Sequence, residues 1–137
     1  MSAGMLTLAV LLVAIGGAIG SLGRWAIAEY GRRLVVHHRS RVDAVRIAPW
    51  LTVLANMVAC FLLGIVVAMT GSATGSGELI YLLLAAGVCG GLSTMSTAAM
   101  DIIELVRAGA TAVAIGYLLL SIGVGMAMLW IGLVIGT

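Results

Sequence analysis

Charge is scarce in this sequence: of 137 residues only 9% are Asp, Glu, Lys or Arg, and 63% are hydrophobic. The mean hydropathy of +1.25 lies far outside the range of soluble globular domains and excludes a water-exposed fold. Basic residues are missing before Arg24, so the basic start of a secretory signal is lacking. The first apolar run is long enough to span a bilayer and reads as a retained helix. The two cysteines, Cys60 and Cys89, lie inside apolar stretches, which argues for buried free thiols and against a disulfide framework. There is no tandem repeat, nucleotide loop, metal-ligand cluster or nucleophile with an attendant base, so neither an enzyme nor a nucleic-acid partner is expected.

Four long apolar runs remain, at about 5–28, 50–70, 79–100 and 110–135. Each has the roughly 20 residues that an α-helix needs to cross the hydrocarbon core. Together they fill the chain and predict a single domain over 1–137, an all-α membrane protein of four transmembrane helices. The one extended polar segment, "EYGRRLVVHHRSRVDAVRIAP" (29–49), holds five arginines and two histidines. It reads as a hydrophilic connection with room for a short interfacial helix, in which His37 and His38 are solvated. Pro49 suits the first turn of the second span, and Trp50 and Trp130 suit interfacial anchoring. "TGSATGSGE" is a turn between spans two and three.

With four crossings, Arg32, Arg33, Arg39, Arg41, Arg46 and Arg107 all fall on the side of the first and third loops. The positive-inside tendency then predicts cytoplasmic loops one and three, both termini outside, and one fixed orientation in the cell membrane.

Intramembrane polar residues are expensive and invite a functional reading. In "GGAIGSLGRW", Gly16, Gly20 and Gly23 share a helical face on which another helix can pack closely. Arg24, one step further, either snorkels to the interface or attracts anions into a vestibule. Asn56 is either interhelical glue or an amide donor to a dehydrated anion, with Thr52 one turn earlier on the same face. In "GVCGGLSTMSTAAMD", Gly87, Gly90 and Gly91 loosen the helix, while Ser93, Thr94, Ser96 and Thr97 offer competing backbone bonds. An unwound segment between about Gly90 and Met95 is expected. Irregular backbone at that depth belongs in packed protein or along a cavity, where freed carbonyls can hold a cation. Thr94, Thr97 and Asp101 fall on one face of the continuing helix, and Tyr117 and Ser121 form an i, i+4 pair. Plain Ser/Thr packing in a tight bundle is the alternative.

These elements, in this order and over essentially the whole chain, resemble the Fluc (CrcB-type) fluoride channels. "GGAIGSLGRW" is similar to their GGxxGxxxR[YF] element, "TVLANMVACFLLG" to their asparagine-bearing second helix, "GGLSTMST" to their GGLTTFST break, and Tyr117 with Ser121 to their tyrosine-serine pair. The resemblance implies an antiparallel dimer with two narrow fluoride pores at the interface. It implies a structural sodium ion on the backbone carbonyls of Gly90 and Ser93 from both subunits. Asn56 and Thr52 would donate in the pore, Arg24 would stand at the vestibule, and Ser96, Thr94, Thr97, Asp101, Tyr117 and Ser121 would line the polar side. Fluoride would leave the cytoplasm passively, down its electrochemical gradient.

Two departures stand out. Met95 and Ala98 occupy the positions of two phenylalanines whose ring edges line the family's pores, and Phe61 is the only phenylalanine here. The arginine bias also differs from the balanced loops of members that insert in both orientations. Together they imply pairing with an opposite-topology paralogue more readily than a homodimer. Two other readings are a non-conducting structural subunit of such a pair and a small dual-topology multidrug exporter. The exporter needs a membrane-embedded glutamate, which the first span lacks before Glu29.

Overall fold

The computed structural model describes residues 3–38, 41–71 and 76–137, with side chains described outside 35–46 and residue 76. The elements are α1 (Ala3–His38), α2 (Arg41–Thr70), α3 (Ser76–Tyr81), a π-helical segment π1 (Leu82–Cys89), α4 (Gly90–Leu92), α5 (Met95–Arg107) and α6 (Thr111–Gly136). No strand occurs among the described residues. Four stretches are long and apolar enough to cross a membrane: Ala3–Leu34, Ile47–Thr70, Gly77–Arg107 and Thr111–Gly136. The third, α3 through α5, is broken. In hydrocarbon every backbone group needs an internal partner, and helices provide one along all of these runs except at the break.

The segment 29–49 departs from the expected hydrophilic connection. Helix continues to His38 and resumes at Arg41, so Pro49 lies inside α2 and not in its first turn. A proline there removes one helical N–H, a loss most easily tolerated near the helix end. His37 and His38 fall outside the residues whose side chains are described, as do Arg39, Arg41 and Arg46.

Without water to expel, helices in lipid associate through close packing, and this chain packs through small residues. Its buried apolar residues include Ala9, Ala55, Ala59, Ala85, Ala98 and Ala114, with Tyr117 as the large fully buried side chain. The third span lies against α1 along Gly16 and Gly20. A Cβ on Gly16 would come within 2.9 Å of the Gly87 Cα, and one on Gly20 within 2.7 Å of the Leu92 N. Gly23, on the same face, meets only the end of Leu92 at 3.4 Å. A second contact of this kind joins α2 to α6, where a Cβ on Gly132 would stand 3.1 Å from the Gly64 Cα.

The turn between α5 and α6 is short. Gly109 takes the left-handed φ of 77°, and two bonds close a Schellman motif: Ala110 N to Leu105 O at 2.9 Å and Gly109 N to Val106 O at 3.0 Å. That turn folds α6 back along α5 and sets Tyr117 beside Asp101.

Gly20→Ala should force α1 off the third span, with a loss of about 1–3 kcal/mol. Gly23→Ala needs only a small shift of Leu92. Thermal melting in detergent should show a clearly larger drop for the first than the second; equal drops would contradict this packing.

Candidate functional site

The break occupies two residues. Ser93 (φ −74°, ψ 155°) and Thr94 (φ −151°, ψ 116°) are extended, and Thr94 caps α5 with its Oγ1, which accepts from Thr97 N at 3.3 Å. The glycines do not unwind: Gly90 and Gly91 remain in α4. In an unbroken helix Thr94 N would donate to the Gly90 carbonyl. Here it donates to Asn56 Oδ1 at 2.7 Å, while Asn56 Nδ2 donates to the Thr94 carbonyl at 3.3 Å. One side-chain amide from α2 thus serves both backbone groups of the residue that interrupts the span. Arg24 Nη1 donates to the Ser93 carbonyl at 3.4 Å, and Ser93 Oγ to the Gly90 carbonyl at 3.4 Å. Among the described residues, no buried side-chain nitrogen or oxygen lacks a partner.

The hydroxyl protons divide into two groups. Tyr117 OH donates to Asp101 Oδ2 at 3.1 Å, Ser121 Oγ to the Tyr117 carbonyl at 2.7 Å, and Thr52 Oγ1 to the Ala48 carbonyl at 3.4 Å. Thr94 Oγ1 donates to Thr97 Oγ1 at 3.0 Å and lies 3.4 Å from Ser96 Oγ. The Thr97 hydroxyl therefore keeps its own proton for another acceptor. The Asn56 amide likewise keeps its second N–H hydrogen.

Two cavities meet at the break. One, of about 400 Å³, is lined by Arg24, Arg32, Thr52, Thr94, Thr97 and Asp101 among others. The other, of about 350 Å³, is lined by Asn56, Ser93, Thr94, Met95, Tyr117 and Ser121 among others. Thr94 belongs to both. The sequence places Thr52 and Asn56 one turn apart on one face, and the fold assigns them to opposite sides of Thr94. Thr94, Thr97 and Asp101, grouped by periodicity, do line one cavity. Ser96 lies on the exposed side of the α5 start, and Met95 is 82% exposed while Ala98 is buried.

Four features were not read from the sequence. The π1 segment is uniformly apolar and carries no pattern to mark it. The Arg24 contact with Ser93 joins residues 69 apart in the chain. The T-shaped contact of Trp50 with Tyr117, with ring centroids 6.2 Å apart, had no sequence signal. Cys60, one turn beyond Asn56, lines the second cavity. Both cysteines are free, as their positions implied.

A four-helix membrane protein whose third span is interrupted, pinned by an asparagine and flanked by two cavities belongs to the class of small channels and transporters. The profile "CrcB-like protein, Camphor Resistance (CrcB)" matches residues 11–133. The chain is 34% identical over 123 residues to "Fluoride-specific ion channel FluC 2" of Rhodococcus jostii, covering 90% of this chain and 94% of that protein. It is 32% identical over 127 residues to "Fluoride-specific ion channel FluC" of Agrobacterium fabrum, covering 93% and 94%. With "Fluoride-specific ion channel FluC 1" of Yersinia pestis the identity is 31% over 119 residues, covering 87% and 86%. The chain belongs to the CrcB family, a family of ion channels and not of enzymes.

Asn56→Ala leaves the Thr94 N–H without its partner, at about 1–3 kcal/mol. Asn56→Gln keeps a neutral carboxamide but displaces it by one methylene from both Thr94 groups. Melting should rank wild type above Asn56→Gln above Asn56→Ala; an unchanged Ala variant would show that the amide does not hold the break. For the buried pair, Tyr117→Phe and Asp101→Asn combined in a double-mutant cycle should show a coupling of about 0.5–3 kcal/mol. Additive effects would contradict the Tyr117–Asp101 bond.

Proposed function

We propose that this chain is a subunit of a fluoride-selective channel that releases cytoplasmic fluoride passively and so limits its toxicity. The observation that carries the reading is the break pinned by Asn56 between two cavities, in a chain whose relatives are named fluoride-specific ion channels. Fluoride is small, strongly hydrated and a strong hydrogen-bond acceptor. A passage that conducts it exchanges its water shell for O–H and N–H donors and stays too narrow for larger halides. The Thr97 hydroxyl and the second Asn56 N–H hydrogen are donors of this kind beside Thr94, while the Ser96 hydroxyl gives its proton to Thr94 Oγ1. Tyr117 and Ser121 line the path with their protons already engaged, Tyr117 on Asp101 and Ser121 on the Tyr117 carbonyl, so they shape it and donate nothing to the ion. Arg24, partly buried at the vestibule, draws anions in, and its contact with Ser93 fixes its position beside the break. An acidic exterior admits neutral HF, the near-neutral cytoplasm holds F⁻, and the gradient drives the anion out without coupling to another substrate.

The same reading places the arginine-rich loops in the cytoplasm, both termini outside, and an inverted second subunit against the break. Met95, 82% exposed beside the break, leaves this face for a partner to complete. The arginine bias and the absent phenylalanines favour an opposite-topology paralogue as that partner. A structural sodium ion at the shared axis fits the chemistry of the break. Sodium takes hard oxygen donors, and the Gly90 carbonyl is released from its helical donor when Thr94 N turns to Asn56. The Gly90 carbonyl also accepts from Ser93 Oγ and the Ser93 carbonyl from Arg24 Nη1, so each would offer its second lone pair to the ion. Among the described residues, no cluster of His, Cys, Asp or Glu offers a side-chain alternative. A second reading, a non-conducting supporting subunit, is favoured by Met95 and Ala98 at the phenylalanine positions.

Fluoride efflux from liposomes separates these readings. Vesicles holding this chain with an opposite-topology relative should release fluoride and retain chloride, and Asn56→Ala in this chain alone should lower that rate tenfold or more. An unchanged rate would make the chain a scaffold. Vesicles that stay sealed with every opposite-topology relative tried would overturn the channel reading.

A further inference from the structure

The cavity between α1, α2 and the start of α5 is far larger than fluoride requires. At about 400 Å³ it holds the volume of roughly a dozen waters. Three helical faces converge on it: Ser21, Arg24, Ala28 and Arg32 recur at helical spacing on α1, and Ala48, Leu51, Thr52 and Ala55 on α2, with Thr94, Thr97 and Asp101 on α5. Two guanidinium groups line it against one carboxylate, and Asp101 has one oxygen occupied by Tyr117.

Depth decides what can enter. The first apolar run ends at about residue 28, so Arg32 stands one helical turn beyond it, at the level of the headgroups. Trp25, on the cavity wall, is 58% exposed, and Tyr30 nearby is 63% exposed, an aromatic placement typical of the headgroup level. Glu29 pairs with Arg32 at 3.0 Å and with Arg33 in a second, shorter bond of 2.6 Å. One carboxylate shared by two arginines leaves the triad with net positive charge. Arg33 is not among the lining residues; its side chain is 69% exposed.

We propose that this cavity binds the phosphate-bearing headgroup of an anionic phospholipid, with Arg32 at its mouth and the walls formed by Trp25, Ala28 and Leu51 against the glycerol and upper acyl chain. Guanidinium groups bind phosphate through paired N–H donors, and basic residues at the membrane surface attract anionic lipid. The apolar wall and the position at the hydrocarbon edge select a lipid over a free phosphate. A headgroup seated here lies over Arg24 and Thr94, so lipid composition would control access to the break from this side.

The test is melting of the intact detergent-solubilised protein with added phosphatidylglycerol, phosphatidylcholine or soluble glycerol phosphate. Phosphatidylglycerol should raise the midpoint by about 4 °C over phosphatidylcholine, as binding to the folded state requires. Arg32→Gln should lose most of that shift and Arg33→Gln should keep it, each compared with its own lipid-free midpoint, so that altered basal stability drops out. Equal midpoints in the two lipids would overturn the proposal. So would equal loss in the two variants, which marks a diffuse charge effect, or a full shift with glycerol phosphate alone, which assigns the site to a soluble anion. These outcomes do not depend on fluoride conduction.

Discussion

A helix broken inside a bilayer must pair its freed backbone groups with something other than water, and in this protein the Asn56 side chain does so. Its carboxamide accepts from Thr94 N and donates to the Thr94 carbonyl, imitating a peptide neighbour. With both groups met, Ser93 and Thr94 can stay extended, Thr94 Oγ1 is free to cap α5, and the Gly90 carbonyl exchanges its helical donor for Ser93 Oγ. The two cavities follow from this arrangement, since Thr94 is the wall they share. Unsatisfied backbone groups are costly at this depth, so the rest of the fold has to bring Asn56 within reach of Thr94.

The rest of the bundle brings the helices close enough for that amide to reach. Between helices in lipid there is little hydrophobic driving force, and close backbone approach takes its place. Gly16 and Gly20 let π1 and α4 lie directly on α1, which carries Arg24 to the Ser93 carbonyl. Gly64 and Gly132 do the same between α2 and α6, fixing Tyr117 against Asp101 and beneath Trp50. The outward faces are covered with large exposed side chains such as Leu6, Leu22, Leu119 and Trp130, which meet lipid or a second subunit.

Charge is used sparingly and, Glu78 apart, at one end. Arg24 and Arg32 line the cavity on the side of the first loop, Asp101 faces them with its carboxylate held by tyrosine, and Glu29 is shared between two arginines. On the proposed function, a positive cavity leading to hydroxyl and amide donors would attract anions without holding them at a single fixed pair. The same positive edge, at headgroup depth, is suited to phosphate, so ion entry and lipid recognition would draw on one electrostatic feature.

The sequence by itself determined the membrane class, the four crossings and the interruption of the third. Hydropathy and run length are local properties, and a Ser-Thr pair after glycines announces competing backbone bonds wherever it falls. It also grouped Thr94, Thr97 and Asp101, because three residues on one helix share a face whatever surrounds them. Other features took the folded chain to decide. Pro49 reads locally as a helix start, yet helix precedes it. Thr52 and Asn56 share a face but serve different cavities, because Thr94 comes between them from another helix. The direction of the Tyr117 proton and the reach of Arg24 to Ser93 depend on partners elsewhere in the chain. Pairings across such distances leave no periodicity in the sequence, and only packed helices fix which donor meets which acceptor.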